Sequence, residues 1–318
     1  MTAVRPHLSR IALPALMAAL LAAAVPASAE RLLDEASIQI KGEARRYYRL
    51  HDTGAPPGSP AIVLVSGSGC NDYSGRFTKY FENYPSTLNL YFLEKPHIAK
   101  GDSGEPGSCS EAYNRADTLD RRVADTLEFI AQEPSLQAAK ERSLAILGFS
   151  EGGQVAPMVA ARSRKIGWLA VIGAGGMKQA DGFLAFADRG VAPYADFTRK
   201  RLEAEFAAIA AEPDSLSKEF FGHPYSYWSS HLFHDPLAEY AQLDIPMVVA
   251  MGEQDDAEPV ESGRLLKTYF AQRPARDFQF VEYRNAGHSL KAGDKSNIED
   301  FIAALAQWFK GERKAYAR

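Results

Sequence analysis

Short unbroken apolar runs alternate along the chain with longer stretches whose apolar residues recur every three or four positions. The runs "PAIVLV" (60–65), "LNLYFLE" (88–94), "SLAILG" (143–148), "WLAVIGAGG" (168–176), "IPMVVAMG" (245–252) and "FQFVEY" (278–283) read as strands. Two further strands are expected earlier, at 37–40 and 45–51. Helical spacing runs over 115–132, where Leu119, Val123, Leu127 and Ile130 share a side. It returns over 152–162, and over 297–310, where Ile298, Phe301, Ile302, Leu305, Trp308 and Phe309 form one apolar face. Strands that are apolar throughout, separated by helices, predict an α/β fold with a mostly parallel sheet covered on both faces. One stretch breaks the alternation. From 177 to 240 no clear strand occurs and helical spacing dominates, with Leu202, Phe206 and Ile209 on one face. It reads as a helical cap insertion that packs over the sheet's edge. The expected divisions are therefore 1–29, a core in two parts at 30–176 and 241–318, and the insertion at 177–240.

The first 29 residues have their own logic. Arg5, His7 and Arg10 precede an apolar run from Ile11 to Val25, and Ala27-Ser28-Ala29 supplies small residues in A-x-A spacing. That is the layout of a secretory signal peptide cleaved after Ala29. The rival, a membrane anchor, needs roughly 20 apolar residues, and this run is short for it. No later segment is apolar enough over enough length to span a bilayer, so no stable membrane insertion is expected after cleavage. An exported protein, periplasmic or secreted, follows.

The formal net charge is −4. Loss of residues 1–29 removes two arginines and no acids, which makes the remainder more acidic. A mildly acidic chain is a poor partner for nucleic acid or an anionic membrane surface, because both require a basic patch. A small neutral substrate is unaffected by this. The 318 residues include two cysteines, Cys70 and Cys109, both in Gly/Ser-rich loops. Export favours a disulfide between them, and two free buried thiols are the alternative.

Gly148-Phe149-Ser150-Glu151-Gly152 is a G-x-S-x-G pentapeptide between a predicted strand and a predicted helix. Glycines at its ends remove side chains that would meet the neighbouring strand and helix, and the serine is held at the mouth of a site. A structural turn would use the same residues, so the partners decide. A serine hydroxyl needs a base, and the base needs a carboxylate to orient it. His288, in "RNAGHSL", follows the last predicted strand directly. Asp255, in "MGEQDDAEP", lies in the loop after "IPMVVA". Ser150, Asp255 and His288 occur in the chain order expected of a hydrolase of this kind.

These three motifs, and "GFSEGGQVAP" in particular, make the sequence similar to the α/β-hydrolase superfamily, especially bacterial esterase-like members with an S-E-G-G elbow. The resemblance implies an α/β-hydrolase fold over roughly the whole mature chain. The family pattern G-x-x-D-x-x-x-P is matched by Gly252, Asp255 and Pro259, which maps the catalytic acid to Asp255, with Asp256 and Glu258 close by. The family's base maps to His288. Its oxyanion hole implies two backbone N–H donors, one from Glu151 and one, by position, from Ser68 in "SGSG". Many members carry His-Gly where Ser66-Gly67 stands here, a departure that leaves a main-chain donor intact. The Glu151 side chain is expected to point away or to bond locally at the elbow.

A serine hydrolase acting on a carboxylic ester through an acyl-enzyme is thus the expected function, with no cofactor and no metal. A peptidase, amidase or thioesterase would use the same triad. An aminopeptidase would also need an acid for the substrate amine, for which Glu151 and Glu258 are candidates. A non-catalytic binding protein of this fold would be expected to have lost a triad member. His223, His231, His234 and Asp235 lie close together in the insertion, but their spacing matches no zinc motif, and they read as cap-surface or cap-hinge residues. Phe220, Phe221, Tyr225, Tyr227 and Trp228 read as packing for the insertion, as a wall over the substrate pocket, or both. "KGDSGEPGSCS" (100–110) reads as a loop near the site, tied through Cys109 to Cys70. Substrate identity and oligomeric state are not encoded in any of these patterns.

Overall fold

The structure, a computed structural model, describes Met1 and residues 30–55, 60–104 and 108–316. The expected signal peptide and its cleavage site lie outside the described residues. Eight strands form the main sheet: β1 (Arg31–Ile40), β2 (Glu43–Asp52), β3 (Ala61–Val65), β4 (Asn89–Leu93), β5 (Leu144–Phe149), β6 (Ile166–Ile172), β7 (Met247–Gly252) and β8 (Phe278–Tyr283). Their order across the sheet is β1-β2-β4-β3-β5-β6-β7-β8. β2 pairs antiparallel with β1 and β4, and every later pairing is parallel.

Period-two alternation divides the core cleanly. Val63, Val65, Ile146, Val171, Val249 and Met251 pack on one face of the sheet. Ile62, Leu64, Leu147, Ile172, Val248 and Ala250 pack on the other. Each strand alternates sides yet is buried on both, which is why these strands read as continuous apolar runs. Helices α1 (Ser74–Tyr80), α2 (Glu111–Ala116), α3 (Leu119–Gln132) and α4 (Gly152–Arg162) precede β6. Val123 and Ile130 of α3 and Val155 and Val159 of α4 cover the first face. Phe77 of α1 covers the second, with Phe301, Leu305 and Trp308 from the C-terminal helix.

Between β6 and β7 come α5 (Gln179–Arg189), α6 (Arg199–Ala211), α7 (Tyr225–His231) and α8 (Pro236–Gln242), together with a two-residue hairpin at 219–224. Their aromatic side chains form a cluster of their own, with Phe183, Phe186, Tyr194, Phe206, Phe220 and Trp228 buried. Helices α9 (Glu261–Ala271) and α10 (Ile298–Trp308) complete the fold.

The expected boundaries shift in three places. β1 and β2 extend to ten residues each, because they pair with one another over their whole length and polar residues there need only a ladder partner. The single helix expected over 115–132 is two helices. Asp117 leaves helical geometry, and Thr118 caps α3 by accepting from the Arg121 N–H, so a capping side chain overrides a continuous apolar period. The segment 177–240 holds the short hairpin, which is too brief to register as an apolar run.

Candidate active site

Four loops meet at the C-terminal edge of the parallel strands, where open α/β sheets collect ligands. The loop after β3 carries Ser66 to Gly69, the turn after β5 carries Ser150, the loop after β7 carries Asp255, and the loop after β8 carries His288. Sheet register places these groups side by side although they are far apart in sequence.

Ser150 sits at φ 52°, in the left-handed region, which costs a non-glycine residue energy. Its N–H donates to the Ile172 carbonyl at 2.8 Å, and its carbonyl accepts from the Gly153 N–H at 2.7 Å, so the turn is pinned on both sides. The flanking glycines are required by close approach. A Cβ on Gly148 would lie 2.2 Å from the Gly152 carbonyl oxygen, and one on Gly152 would lie 2.2 Å from that of Val65. The strained serine is therefore wedged between β3 and the start of α4.

Ser150 Oγ lies 2.8 Å from His288 Nε2. His288 Nδ1 lies 2.9 and 2.8 Å from the two oxygens of Asp255. Asp255 Oδ1 also accepts from the Ala257 and Glu258 N–H groups, each at 2.9 Å, which fixes the carboxylate independently of the histidine. Burial works against the imidazolium, but the hydrogen bond and charge of Asp255 outweigh it, with Glu258 and Asp256 adding, and His288 titrates above its ordinary value. An imidazole so held can take a proton at Nε2 while Nδ1–H remains on the carboxylate. The N–H groups of Ser68 and Glu151 donate to no partner among the described residues, and both residues line the cavity that contains Ser150.

The Glu151 side chain departs from expectation. It neither points away nor bonds locally, but enters a buried ionic cluster that links three elements. Arg122 Nη1 of α3 donates to Glu151 Oε1, and Tyr227 of α7 donates its hydroxyl to Oε2 at 2.7 Å. Arg122 Nη2 donates to the Ser66 carbonyl at 2.7 Å. Next to it, Lys95 Nζ donates to the Gly67 carbonyl at 3.2 Å and to the Tyr113 hydroxyl at 2.6 Å. Burial alone would push the Glu151 carboxyl up, but Arg122, His231 and Lys95 together outweigh that, and the group is held well below the usual carboxylate range. Two buried cations thus grip carbonyls of the "SGSG" loop from below.

Lys95 and Arg122 were not among the residues expected from sequence, and Tyr227 was expected as an aromatic of the insertion and not as a hydrogen-bond donor to Glu151. Arg122 did leave a signal. It falls between Leu119, Val123 and Thr126 on the buried side of α3, where a charge needs a partner.

One histidine of the 177–240 segment departs from the surface position expected of it. His231 is 1% exposed, with Nε2 3.7 Å from Glu151 Oε1, and is not a surface residue. His223 stacks on Tyr227 with ring centroids 4.1 Å apart. Among the described residues no group of three or more His, Cys, Asp or Glu is arranged to hold a metal ion. Cys70 and Cys109 form a disulfide with Cα atoms 5.7 Å apart, joining the segment after "SGSG" to the chain just before α2.

Two cavities of about 210 Å³ each adjoin Ser150 and His288. Tyr73, Arg76, Tyr80 and Ile298 line one. Gln154, Gln179, Tyr194, Trp228 and Glu258 line the other, beneath α5 and α7.

The family model described as "Alpha/beta hydrolase family" matches residues 62–290, which takes in every element of this site. The chain belongs to the alpha/beta hydrolase family. No curated protein matches it in sequence. Among solved structures, this family member is similar to Est1E from Butyrivibrio proteoclasticus, at 15% identity and TM-score 0.58, over 88% of this chain and 99% of the other. It is similar to the acylaminoacyl peptidase of Pyrococcus horikoshii, at 13% identity and TM-score 0.57, over 90% of this chain and 42% of that one. An esterase from Pyrococcus furiosus matches at 10% identity and TM-score 0.56, over 88% and 91% of the two chains. At such identities these likenesses concern the fold, and this hydrolase fold carries several chemistries.

Proposed function

We propose that the protein is an exported serine hydrolase that cleaves carboxylic esters through an acyl-enzyme. The observation that carries this reading is the continuous contact from Asp255 through His288 to Ser150, with 2.8 Å at the Ser150 end. Ser150 Oγ attacks the ester carbonyl while His288 Nε2 takes its proton. Asp255 holds the ring and stabilises the imidazolium. The oxyanion accepts from the Ser68 and Glu151 N–H groups. As the tetrahedral intermediate collapses, the C–O bond to the alcohol breaks and His288 returns the proton to the leaving oxygen. Water then adds to the acyl carbonyl, giving its proton to His288, and the acid departs as Ser150 Oγ is reprotonated. This sequence draws on no cofactor.

The segment 177–240 is read as a cap over one of the two cavities, with 30–176 and 241–318 as the two parts of the core. Export is supported by the basic and then apolar N-terminal residues and by the Cys70–Cys109 disulfide, which persists in an oxidising compartment. No helix among the described residues is long and apolar enough to cross a membrane.

A fluorophosphonate probe tests the reading. Wild type should form an adduct on Ser150, and Ser150→Ala should lose the adduct and at least about 10³-fold in kcat on an ester substrate. A folded protein that forms no adduct would be a binding protein of this fold. Thioester and anilide substrates, run beside the ester, separate the thioesterase and amidase readings.

A further inference from the structure

The cavity beneath α5 and α7 has a composition that ester hydrolysis alone does not require. Gln154 is 6% exposed and its Oε1 has no hydrogen-bond partner. Gln179 Oε1, on the first turn of α5, is likewise buried and unpartnered. Glu258 is 8% exposed and also lines this cavity, three residues beyond Asp255. Buried amide oxygens without partners are costly, and a site retains them where a ligand completes their hydrogen bonds.

The electrostatics point one way. No lysine or arginine lines this cavity, whereas Arg76 lines the one on the other side of Ser150. The nearest buried cation of the elbow, Arg122, is committed to Glu151 and to the Ser66 carbonyl. That engagement also removes Glu151 from the two carboxyls considered for an amine and leaves Glu258. Tyr194, Phe221 and Trp228 supply aromatic walls, and the negative face of a ring attracts a cation. Acceptor oxygens, an acid whose side chain is hydrogen-bonded to Ser262 and otherwise faces the cavity, aromatic rings and the absence of lysine and arginine from the lining together make a site for an ammonium group.

We propose that this cavity binds a primary ammonium carried by the substrate within a few bonds of the scissile carbonyl, with Glu258 as its counter-ion and the Gln154 and Gln179 amides as acceptors. The substrate class is then amino-substituted acyl esters. This rests on Ser150 acting as the nucleophile.

The experiment compares 2-naphthyl esters of glycine, β-alanine and 4-aminobutanoate with the uncharged alkanoyl esters of the same chain length. In wild type at least one amino ester should exceed its uncharged counterpart by about tenfold or more in kcat/KM. Glu258→Gln keeps the shape and removes the charge, and the ratio should fall close to one. Gln179→Leu, at the start of a helix, should lower the same ratio and provides the readout if Glu258→Gln does not fold, with fluorophosphonate labelling reporting folded protein in each case. Equal or faster hydrolysis of the uncharged esters by wild type overturns the proposal. So does an amine preference that survives both substitutions. If no ester is hydrolysed and Ser150 is not labelled, the hydrolase reading itself has failed and the proposal falls with it. Labelling together with turnover of uncharged esters alone refutes only the ammonium site.

Discussion

At the scale of single residues, the decisive feature is the exchange of charge between His288 and its neighbours. The imidazole accepts a proton only when neutral, so kcat/KM should fall as pH drops through its pKa. That pKa is raised above the ordinary 6.5, chiefly by Asp255 against the opposing effect of burial, so the acid limb of the profile should lie above pH 6.5. Glu258 also favours the imidazolium, and burial pushes its own carboxyl up to about 7. Removing that carboxyl in Glu258→Gln should therefore move the acid limb to lower pH. A pH profile of an uncharged ester measures this, and a limb that stays put or moves upward contradicts it. Ser150, Asp255 and His288, the residues of the proposed triad, were legible in sequence because each lies in a loop after an apolar run, in the right order, although Asp256 and Glu258 stand close to Asp255. The role of the Glu151 side chain was not. A carboxylate directly after Ser150 has no sequence pattern that names its partner, and its partner lies 29 positions away on another helix.

Among elements, α3 carries more than packing. Through Arg122 it joins the turn after β5 to the "SGSG" loop, while Tyr227 brings α7 to the same carboxylate. A buried ion pair of this kind is costly to break from one side. Arg122→Leu leaves the Glu151 carboxylate uncompensated and should destabilise the protein by about 3–5 kcal/mol. Arg122→Leu combined with Glu151→Leu removes both charges and should recover part of that loss, although each exchange is unfavourable alone. Urea unfolding of the three variants decides the matter. A single variant that loses less than about 1 kcal/mol would show that the cluster is well hydrated instead. The split between α2 and α3 belongs to this scale as well. Asp117 closes α2 and accepts from the Tyr113 hydroxyl at 2.7 Å, so the break positions a member of the same polar cluster. An apolar repeat running through 115–132 conceals such a break.

In the whole molecule, the disulfide ties two distant stretches of chain beside the proposed oxyanion hole. The bridge spans a sequence separation of 39 residues, and removing it should cost about 4 kcal/mol through the unfolded state. Asn71 and Ser103 form an isolated β-bridge in the same region, and Asp72 accepts from the Gly101 N–H at 2.8 Å, so residues 101–103 are fastened to the segment after Gly69 as well. The expected result for Cys70→Ser with Cys109→Ser is a lower Tm together with reduced kcat on an ester, as the loop bearing Ser68 loosens. A rate unchanged after confirmed reduction would uncouple the bridge from the oxyanion site and leave it a purely stabilising role.

The order of strands and helices, the two-faced burial of the central strands and the positions of Ser150, Asp255 and His288 follow from the sequence alone. They rest on local periodicity and on loops at strand ends, which are properties of neighbours in the chain. The cluster around Glu151, the burial of His231 and the ammonium-type lining around Glu258 were decided only in three dimensions. Each depends on which distant side chain arrives at a buried charge, and that is set by sheet order and by how α3, α5 and α7 pack at the sheet's C-terminal edge. Charge pairing in a low-dielectric interior is a long-range choice, whereas hydrophobic periodicity is a short-range one.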